Sequence, residues 1–232
     1  MSTTPVLHYI YDPLCGWCYG AKPLIEAARG ILPVVAHGGG MMTGAHRRPV
    51  TAQLRDYVMP HDRRIAELTG QPFGEAYFDG PLRDTTAVFD SEPPTTAILA
   101  AQQVAGRGLE LLGHLQTAHY VEGRRIADEN LLLELAAEIG LDAEAFKAAF
   151  IAARGDMTQA HFKDSRALLA RVGAQGFPTL VLEQSGQYQV IDSGKYLGQP
   201  RAFADWLRQL DGVAVCDSNV SAPACGLNGC DE

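Results

Sequence analysis

The sequence predicts an α/β protein with a large helical segment inserted into it, and three features support this prediction. First, a β-rich, mostly apolar run at residues 6–12 leads directly into a helical stretch. Second, helical periodicity extends from about residue 49 to residue 155. Third, two short β-rich runs and an amphipathic helix follow residue 178. The strands therefore lie towards the two ends of the chain, and a helical block separates them.

A strand–helix–strand unit is predicted for residues 6–40. Pro13 closes the first strand, and a second apolar run at residues 31–40 ends in glycines, as expected of a buried strand that leads into a turn. Pro23 lies within the connecting helix, where it removes a backbone hydrogen bond and should introduce a kink. The alternative is a helix that begins only after Pro23. We favour the kinked helix, because the later start would leave Cys15 and Cys18 outside it.

The block at residues 46–154 is predicted to be all-helical. Its first helix carries apolar side chains near one face: Leu54, Tyr57, Val58, Ile65 and Leu68. Asp128 and Asp142 are suited to cap two later helices that are separated at Gly140. Pro93 and Pro94 fit the first turn of another helix. We expect this block to pack over the edge that carries the cysteines and to form a substrate-facing groove.

The remaining elements lie in residues 155–214. Strands are predicted at residues 179–183 and 188–191 with a turn at Ser185 and Gly186, which is typical of a β-hairpin. An amphipathic helix that should end at Gly212 carries these apolar residues: Phe203, Trp206, Leu207 and Leu210. Without the block, the order of elements is that of a thioredoxin-like βαβ–αββα unit. We therefore predict a thioredoxin-like domain in two parts, residues 1–45 and 155–214, a helical insertion at residues 46–154, and a cysteine-containing tail at residues 215–232.

Composition and charge limit the classes of function. With 27 acidic and 19 basic residues the 232-residue chain carries a formal net charge of −8, which argues against nucleic acid and anionic membranes as partners. The first residues lack the features of a secretory signal, and no apolar run approaches the ~20 residues that span a bilayer. We therefore expect a cytoplasmic protein, and in that compartment disulfides are usually transient and catalytic.

Cys15 and Cys18 lie three positions apart, between the first strand and the helix. Unsatisfied N–H groups and the helix dipole favour a thiolate at Cys15, whereas Cys18 lies one turn deeper and is shielded. A C-x-x-C in this context is typical of a thioredoxin-like redox pair, in which Cys15 attacks and Cys18 resolves the mixed disulfide. The alternative is half of a zinc site, which would need two more ligands. No second C-x-x-C or H-x-x-x-H lies nearby, so we expect no metal.

The segment GFPT at residues 176–179 places a proline directly before a predicted strand. In combination with the C-x-x-C and the order of elements, it resembles the cis-proline loop that faces the disulfide in thioredoxin-fold oxidoreductases. We therefore expect a cis bond between Phe177 and Pro178, and a Phe177 backbone that pairs with an extended substrate. The alternative is an ordinary trans turn into the strand.

Four motifs carry a resemblance to a known family: YDPLCGWCYGAKP at residues 11–23, HGGGM at 37–41, SEPP at 91–94, and GFPT. On these motifs the chain resembles the DsbA family and is most similar to its cytoplasmic, FrnE-like predicted disulfide isomerases. The resemblance covers residues 1–212 and implies a thioredoxin fold with an inserted helical domain. It also implies that Gly16, Trp17, Phe177 and Pro178 surround the docked substrate. The Gly-Trp dipeptide differs from the Pro-His of periplasmic DsbA and the Gly-Pro of thioredoxin, so the direction of electron flow stays open.

A second cysteine pair, Cys225 and Cys230, lies in the tail. Glycines next to both cysteines allow the short loop to close into a disulfide, which leaves Cys216 unpaired. FrnE-like proteins are similar in carrying an additional C-terminal pair that exchanges electrons with the first, so the resemblance implies a second redox pair. The alternatives are a static link within the tail and a set of metal ligands that includes Cys216.

These observations predict an enzyme, a thiol–disulfide oxidoreductase or isomerase that acts on protein disulfides. The redox-active disulfide requires no bound cofactor, and glutathione is a candidate co-substrate. Expected partners are protein thiols and disulfides and a thioredoxin- or glutathione-type reductant. One alternative is a glutathione-dependent transferase or isomerase, similar to the kappa-class transferases and hydroxychromene-carboxylate isomerases. These typically use a lone serine or cysteine, so the intact Cys15 and Cys18 pair argues against them. Another alternative is a chaperone or metal-binding module without enzymatic activity.

Overall fold

The computed structural model describes residues 4–213 and contains a mixed sheet with helices packed on it. The strands, in chain order, are β1 Val6–Tyr11, β2 Val34–Gly38, β3 Arg48–Pro49, β4 Val88–Phe89, β5 Thr179–Gln184 and β6 Gln187–Ile191. The helices are α1 Gly16–Arg29, α2 Ala52–Thr69, α3 Glu75–Asp79, α4 Glu92–Ala105, α5 Gly108–Tyr120, α6 Glu129–Glu138, α7 Ala143–Ala153, α8 Asp156–Arg171 and α9 Pro200–Arg208. The predicted thioredoxin-like fold with a helical insertion is confirmed.

The central sheet has the strand order β2-β1-β5-β6, with β1 parallel to β2 and antiparallel to β5. Tyr11, at the end of β1, pairs with Gly38 at the end of β2, and Ile10 pairs with Thr179 at the start of β5. The C-terminal ends of β1 and β2 and the N-terminal end of β5 therefore lie together at one end of the sheet. This arrangement brings the segment after Tyr11, which holds the cysteines, next to the segment before Thr179.

The two faces of the sheet pack against different helices. Leu7, Tyr9 and Tyr11 alternate along β1 and join the large hydrophobic core, whereas Ile10 packs with Val181 and Leu169 on the opposite face. Because β1 is covered on both sides, its sequence is mostly apolar rather than strictly alternating. This burial explains why the first strand could be predicted from composition alone.

Two glycines on one face of α1 allow α2 to lie directly against it. Gly16 and Gly20 are four residues apart and so share a face of the helix. A Cβ atom at Gly20 would lie 2.8 Å from Cγ2 of Ile65, and one at Gly16 would lie 2.4 Å from Oδ1 of Asp62. The first helix of the insertion therefore lies beside the first turn of α1, and this confirms that the insertion packs at the edge that carries the cysteines.

The local signals identified in the sequence match the structure in most places. Pro23 lies inside α1, and Pro93 and Pro94 lie in the first turn of α4. The side chains of Asp128 and Asp142 accept hydrogen bonds from the N–H groups of Asn130 and Ala145, so both caps are confirmed. Within residues 4–213, no helix combines the length and the apolar character needed to cross a membrane.

Three details differ from the sequence prediction. The insertion is not all-helical, because β3 and β4 pair within it, and two-residue strands are too short to give an alternating pattern. The predicted apolar face of α2 is narrower than expected, since Tyr57 and Leu68 are 66% and 50% exposed. Helix α9 ends at Arg208, before the predicted stop at Gly212.

Candidate active site

Cys15 occupies the N-cap position of α1. Its backbone is extended, with φ −93° and ψ 113°, and its carbonyl accepts the N–H groups of Cys18 and Tyr19 at 3.0 and 3.1 Å. Helix α1 has no acidic residue in its first turn and no side-chain cap. The positive end of the helix dipole therefore faces the Cys15 thiol, and the first turn of α1 places no carboxylate beside it.

Cys18 lies one turn further along α1 and differs from Cys15 in exposure. Its exposed fraction is 0%, against 7% for Cys15, and both cysteines are free thiols. Burial raises the pKa of the Cys18 thiol well above its ordinary value, and its hydrogen bond with Cys15 adds to this effect. A thiol that stays protonated and out of contact with solvent is suited to resolving a mixed disulfide rather than to attacking an incoming substrate.

The loop before β5 lies against Cys15. The bond between Phe177 and Pro178 is cis, as predicted. The Cys15 thiol donates to the backbone carbonyl oxygen of Phe177, with 3.5 Å between Sγ and O. The two segments predicted to form the site, residues 15–18 and 177–178, therefore lie side by side although 162 positions separate Cys15 from Phe177.

A groove of about 760 Å³ opens on another side of Cys15. Its lining includes Cys15, Gly16 and Trp17 together with side chains from the insertion, among them Arg48, Leu54, Tyr57 and Asp62. The predicted groove between the insertion and the cysteine loop is thus present. Cys15 takes part in both surfaces, since it lines the groove and contacts the Phe177 carbonyl.

A buried carboxylate at Asp12 connects three of the motifs found in the sequence. Its Oδ1 accepts hydrogen bonds from the Leu14 N–H and the Ser91 hydroxyl, both at 2.9 Å, and its Oδ2 accepts the Met41 N–H at 2.6 Å. The Met42 N–H also donates to the Ser91 hydroxyl oxygen, at 3.1 Å. Ser91 is the N-cap residue of α4, but its side chain makes no cap hydrogen bond and contacts Asp12 instead. Burial raises the pKa of Asp12, and these hydrogen bonds oppose the rise.

The fourth motif joins the same assembly through Gly39. A Cβ atom at this position would lie 2.1 Å from Cε1 of Phe177, so the ring of Phe177 occupies the space that any side chain would need. Arg166 donates to the carbonyl oxygens of Gly39 and Gly40 at 2.9 and 2.5 Å, which fixes this turn. The glycines that follow β2 therefore help to hold the Phe177–Pro178 loop against Cys15.

We predict that Gly39→Ala lowers the reactivity of Cys15 towards a disulfide about tenfold, because an added methyl group must displace the Phe177 ring, and misplacing a reacting or docking group by about 1 Å costs up to 10²-fold. The measurement is the second-order rate constant for reduction of a disulfide by the dithiol protein. Gly30→Ala is the matched control, since a Cβ atom there meets only the Ala27 carbonyl oxygen, at 3.8 Å. Equal activity of the two variants would contradict this role of Gly39.

Asp62, on α2, is a second buried carboxyl group in the site. It is 5% exposed, and its Oδ2 accepts the hydroxyl hydrogen of Tyr77 at 2.9 Å. Burial raises the pKa of Asp62 to about 7, although the Tyr77 hydrogen bond opposes the rise. Asp62 was not predicted from the sequence. One signal was available: Asp62 is four residues after Val58 and three before Ile65, so a carboxyl group interrupts the inward-facing stripe of α2.

The tail cysteines lie outside the described residues: Cys216, Cys225 and Cys230. The predicted second redox pair therefore stays a prediction. Among residues 4–213, no three side chains of histidine, cysteine, aspartate or glutamate form a group that could hold a metal ion.

Comparison with known proteins gives consistent matches. A family model described as a DSBA-like thioredoxin domain matches residues 6–197. The cytosolic disulfide reductase DsbM from Pseudomonas aeruginosa is 60% identical, with a TM-score of 0.83, over 88% of this chain and 97% of that chain. A structure of DsbM with glutathione is 58% identical, with a TM-score of 0.82, over the same shares of the two chains.

Two more distant proteins are also similar. A candidate protein disulfide isomerase from Nitrosomonas europaea is 28% identical, with a TM-score of 0.73, over 89% of this chain and 98% of that chain. The ClpXP adapter protein SpxH from Bacillus subtilis is 27% identical over 153 residues, or 61% of this chain. The match covers 46% of the length of SpxH, so this chain corresponds to about half of that relative.

Proposed function

This chain belongs to the DSBA-like thioredoxin family and is a thiol–disulfide oxidoreductase of the DsbA type, and we propose that it acts as a cytoplasmic disulfide reductase through Cys15 and Cys18. The observation that carries the proposal is the position of Cys15. Its thiol lies at the N-terminus of α1, 3.5 Å from the Phe177 carbonyl oxygen, and it lines a groove. The 60% identity to the cytosolic reductase DsbM supports the same direction of electron flow and the same compartment.

In this proposal the reaction has two exchange steps. The Cys15 thiolate attacks one sulfur of a substrate disulfide, forms a mixed disulfide and releases the first substrate thiolate. The buried Cys18 thiol then attacks Sγ of Cys15 and gives up its proton, and the second substrate sulfur leaves as a thiol. The substrate disulfide is reduced by two electrons, and the Cys15–Cys18 dithiol becomes a disulfide. Two thiols of a reductant restore the dithiol and leave as a disulfide.

Glutathione is the reductant we propose, and protein disulfides are the proposed substrates. The DsbM structure with glutathione supports this choice of reductant. The groove volume of about 760 Å³ lies within the roughly 300–1,000 Å³ range of small-molecule sites. Arg48, at the groove, offers a positive charge to a glutathione carboxylate. Residues 46–154 act in this proposal as the insertion that forms one wall of the groove, and Gly16, Trp17, Phe177 and Pro178 form the docking surface around Cys15.

The test is the reaction of the oxidised protein with glutathione. Excess glutathione should convert the Cys15–Cys18 disulfide to the dithiol and release oxidised glutathione in equal amount. Trapping of free thiols by alkylation, followed by mass spectrometry, measures both. A disulfide that persists in excess glutathione but is reduced by a thioredoxin-type dithiol would assign a different reductant. A dithiol form that reduces no protein disulfide would contradict the reductase itself.

The tail pair gives a separate prediction. If Cys225 and Cys230 exchange electrons with Cys15 and Cys18, the double variant Cys225→Ser, Cys230→Ser should slow turnover of a protein disulfide about twofold or more when the reductant is limiting. Cys216→Ser is the control, since it removes a tail thiol outside the pair. Unchanged turnover and unchanged redox partitioning of the Cys15–Cys18 pair in the double variant would leave that pair as the sole redox centre.

A further inference from the structure

We propose that Asp62 is the acid–base residue of the thiol–disulfide exchange, which donates a proton to the first thiolate that leaves the substrate when Cys15 attacks. The proposal rests on the proposed function, since it assigns a role in the same reaction. It concerns a residue of the insertion, contributed by α2 rather than by the helix that carries the cysteines. The groove side of the site would therefore take part in the chemistry as well as in binding.

The geometry leaves one oxygen of Asp62 available. Oδ2 is engaged by the Tyr77 hydroxyl at 2.9 Å. Oδ1 lies against Gly16, the residue after Cys15, so closely that a Cβ atom there would be 2.4 Å away. Among the described residues, no hydrogen-bond donor reaches Oδ1. Asp62 and Cys15 also line the same groove, so a substrate disulfide bound there could contact both.

One cation, Arg48 on β3, lines the groove with Asp62, but no ion pair joins the two side chains. Tyr77 and Tyr120, from α3 and α5, and Cys15, from the start of α1, share the groove with it. On its own helix the adjacent His61 also lines the groove. In the described part of the chain, Asp62 forms no ion pair with lysine or arginine, and a buried carboxyl group without such a partner favours its neutral form. Because burial raises the pKa of Asp62 to about 7, both protonation states are populated near neutral pH.

The proton balance of the first step suits this group. When the Cys15 thiolate attacks an alkyl disulfide, one S–S bond breaks, one forms, and a thiolate with an ordinary pKa of about 8.5 leaves. Neutral Asp62 transfers its proton to that sulfur, so the product is a neutral thiol and Asp62 is left as a carboxylate. Solvent in the groove returns the proton to Asp62. In the reverse direction, the Asp62 carboxylate accepts the proton of a thiol that attacks the mixed disulfide.

The closing experiment compares two neutral disulfide probes with the reduced protein. Bis(2-hydroxyethyl) disulfide releases an ordinary alkyl thiol, whereas 2,2′-dithiodipyridine releases an acidic thiol that needs no proton donor, since leaving groups of lower pKa leave faster. Asp62→Asn should slow reduction of the alkyl disulfide about tenfold, below the 10²–10⁴-fold typical of general acids because a thiolate is a tolerable leaving group. It should change reduction of the aromatic disulfide less than about twofold.

The pH dependence gives an independent reading of the same experiment. In the unmodified protein, the ratio of the alkyl to the aromatic rate constant should fall as pH rises through about 7, where Asp62 loses its proton. In Asp62→Asn the ratio should not change with pH. Asp56→Asn is the matched control, since Asp56 lies on the same helix with its side chain 66% exposed and paired with Arg55. That control should behave as the unmodified protein does.

Two results would overturn the inference. If Asp62→Asn slows both probes equally, and slows alkylation of Cys15 by iodoacetamide to the same extent, the carboxyl group acts on the Cys15 thiol and not on the leaving sulfur. If neither probe responds, Asp62 has no part in the chemistry. Failure of the proposed function would look different, because the unmodified protein would then reduce neither probe.

Discussion

Cys15→Ser is expected to abolish disulfide reduction, with a loss of more than about 10³-fold, because removal of a nucleophile eliminates the covalent step itself. Cys18→Ser is expected to behave differently. Cys15 can still attack, but the serine hydroxyl cannot displace the bound substrate sulfur, so the mixed disulfide accumulates. Incubation of each variant with a protein disulfide, acid quenching and intact-mass measurement distinguish these outcomes. A mixed disulfide should appear with Cys18→Ser and be absent with Cys15→Ser.

The contrast depends on the different environments of the two thiols. Cys18 is fully buried behind Cys15, and its raised pKa keeps it protonated near neutral pH. Alkylation of the reduced protein with limiting iodoacetamide at neutral pH therefore provides a control that needs no variant. Modification should fall on Cys15 first. If Cys18 is modified first, or if Cys15→Ser forms the mixed disulfide, the two roles are reversed.

The sequence contained enough information to predict where Cys15 and Cys18 lie in the fold. The cysteines, the preceding strand and the following helix are contiguous, so their relative positions depend on local backbone geometry. The hairpin strands and the caps at Asp128 and Asp142 also depend on neighbouring residues alone. For features of this kind, composition and spacing carry the necessary physical information.

The buried carboxyl groups could not be predicted in the same way. Asp12 and Ser91 are 79 positions apart, and the Asp62–Tyr77 contact joins two helices of the insertion. In a single sequence each of these aspartates looks like an ordinary polar residue, because burial is set by long-range packing. The resemblance motifs identified three of the segments that meet at Asp12. The motifs alone did not show that these segments occur together because they share one set of hydrogen bonds.

Asp12→Asn is expected to destabilise the fold by about 3 kcal/mol, although the side chain keeps its shape. All three groups that contact the Asp12 carboxylate act as donors: the backbone N–H groups of Leu14 and Met41 and the Ser91 hydroxyl. In asparagine one oxygen becomes an NH₂ group, which must face at least one backbone N–H. That N–H then loses a charge-assisted hydrogen bond and stays buried without an acceptor, at a cost of roughly 1–3 kcal/mol for each effect. Chemical denaturation measures the change.

Ser91→Ala separates this explanation from a general sensitivity of the buried site. It removes one donor to Asp12 and the acceptor of the Met42 N–H, but both backbone N–H groups that bind the Asp12 carboxylate keep it, so we expect a smaller cost of about 2 kcal/mol. A loss of stability for Asp12→Asn no larger than that for Ser91→Ala would contradict this explanation.

The hydrogen bonds of Asp12 also bear on catalysis, because the Cys15 N–H donates to the Asp12 backbone carbonyl oxygen at 3.2 Å. Weaker hydrogen bonding of the Asp12 side chain would loosen the turn that positions the Cys15 thiol. Asp12→Asn should therefore lower the rate of Cys15 alkylation under conditions in which the variant is still fully folded.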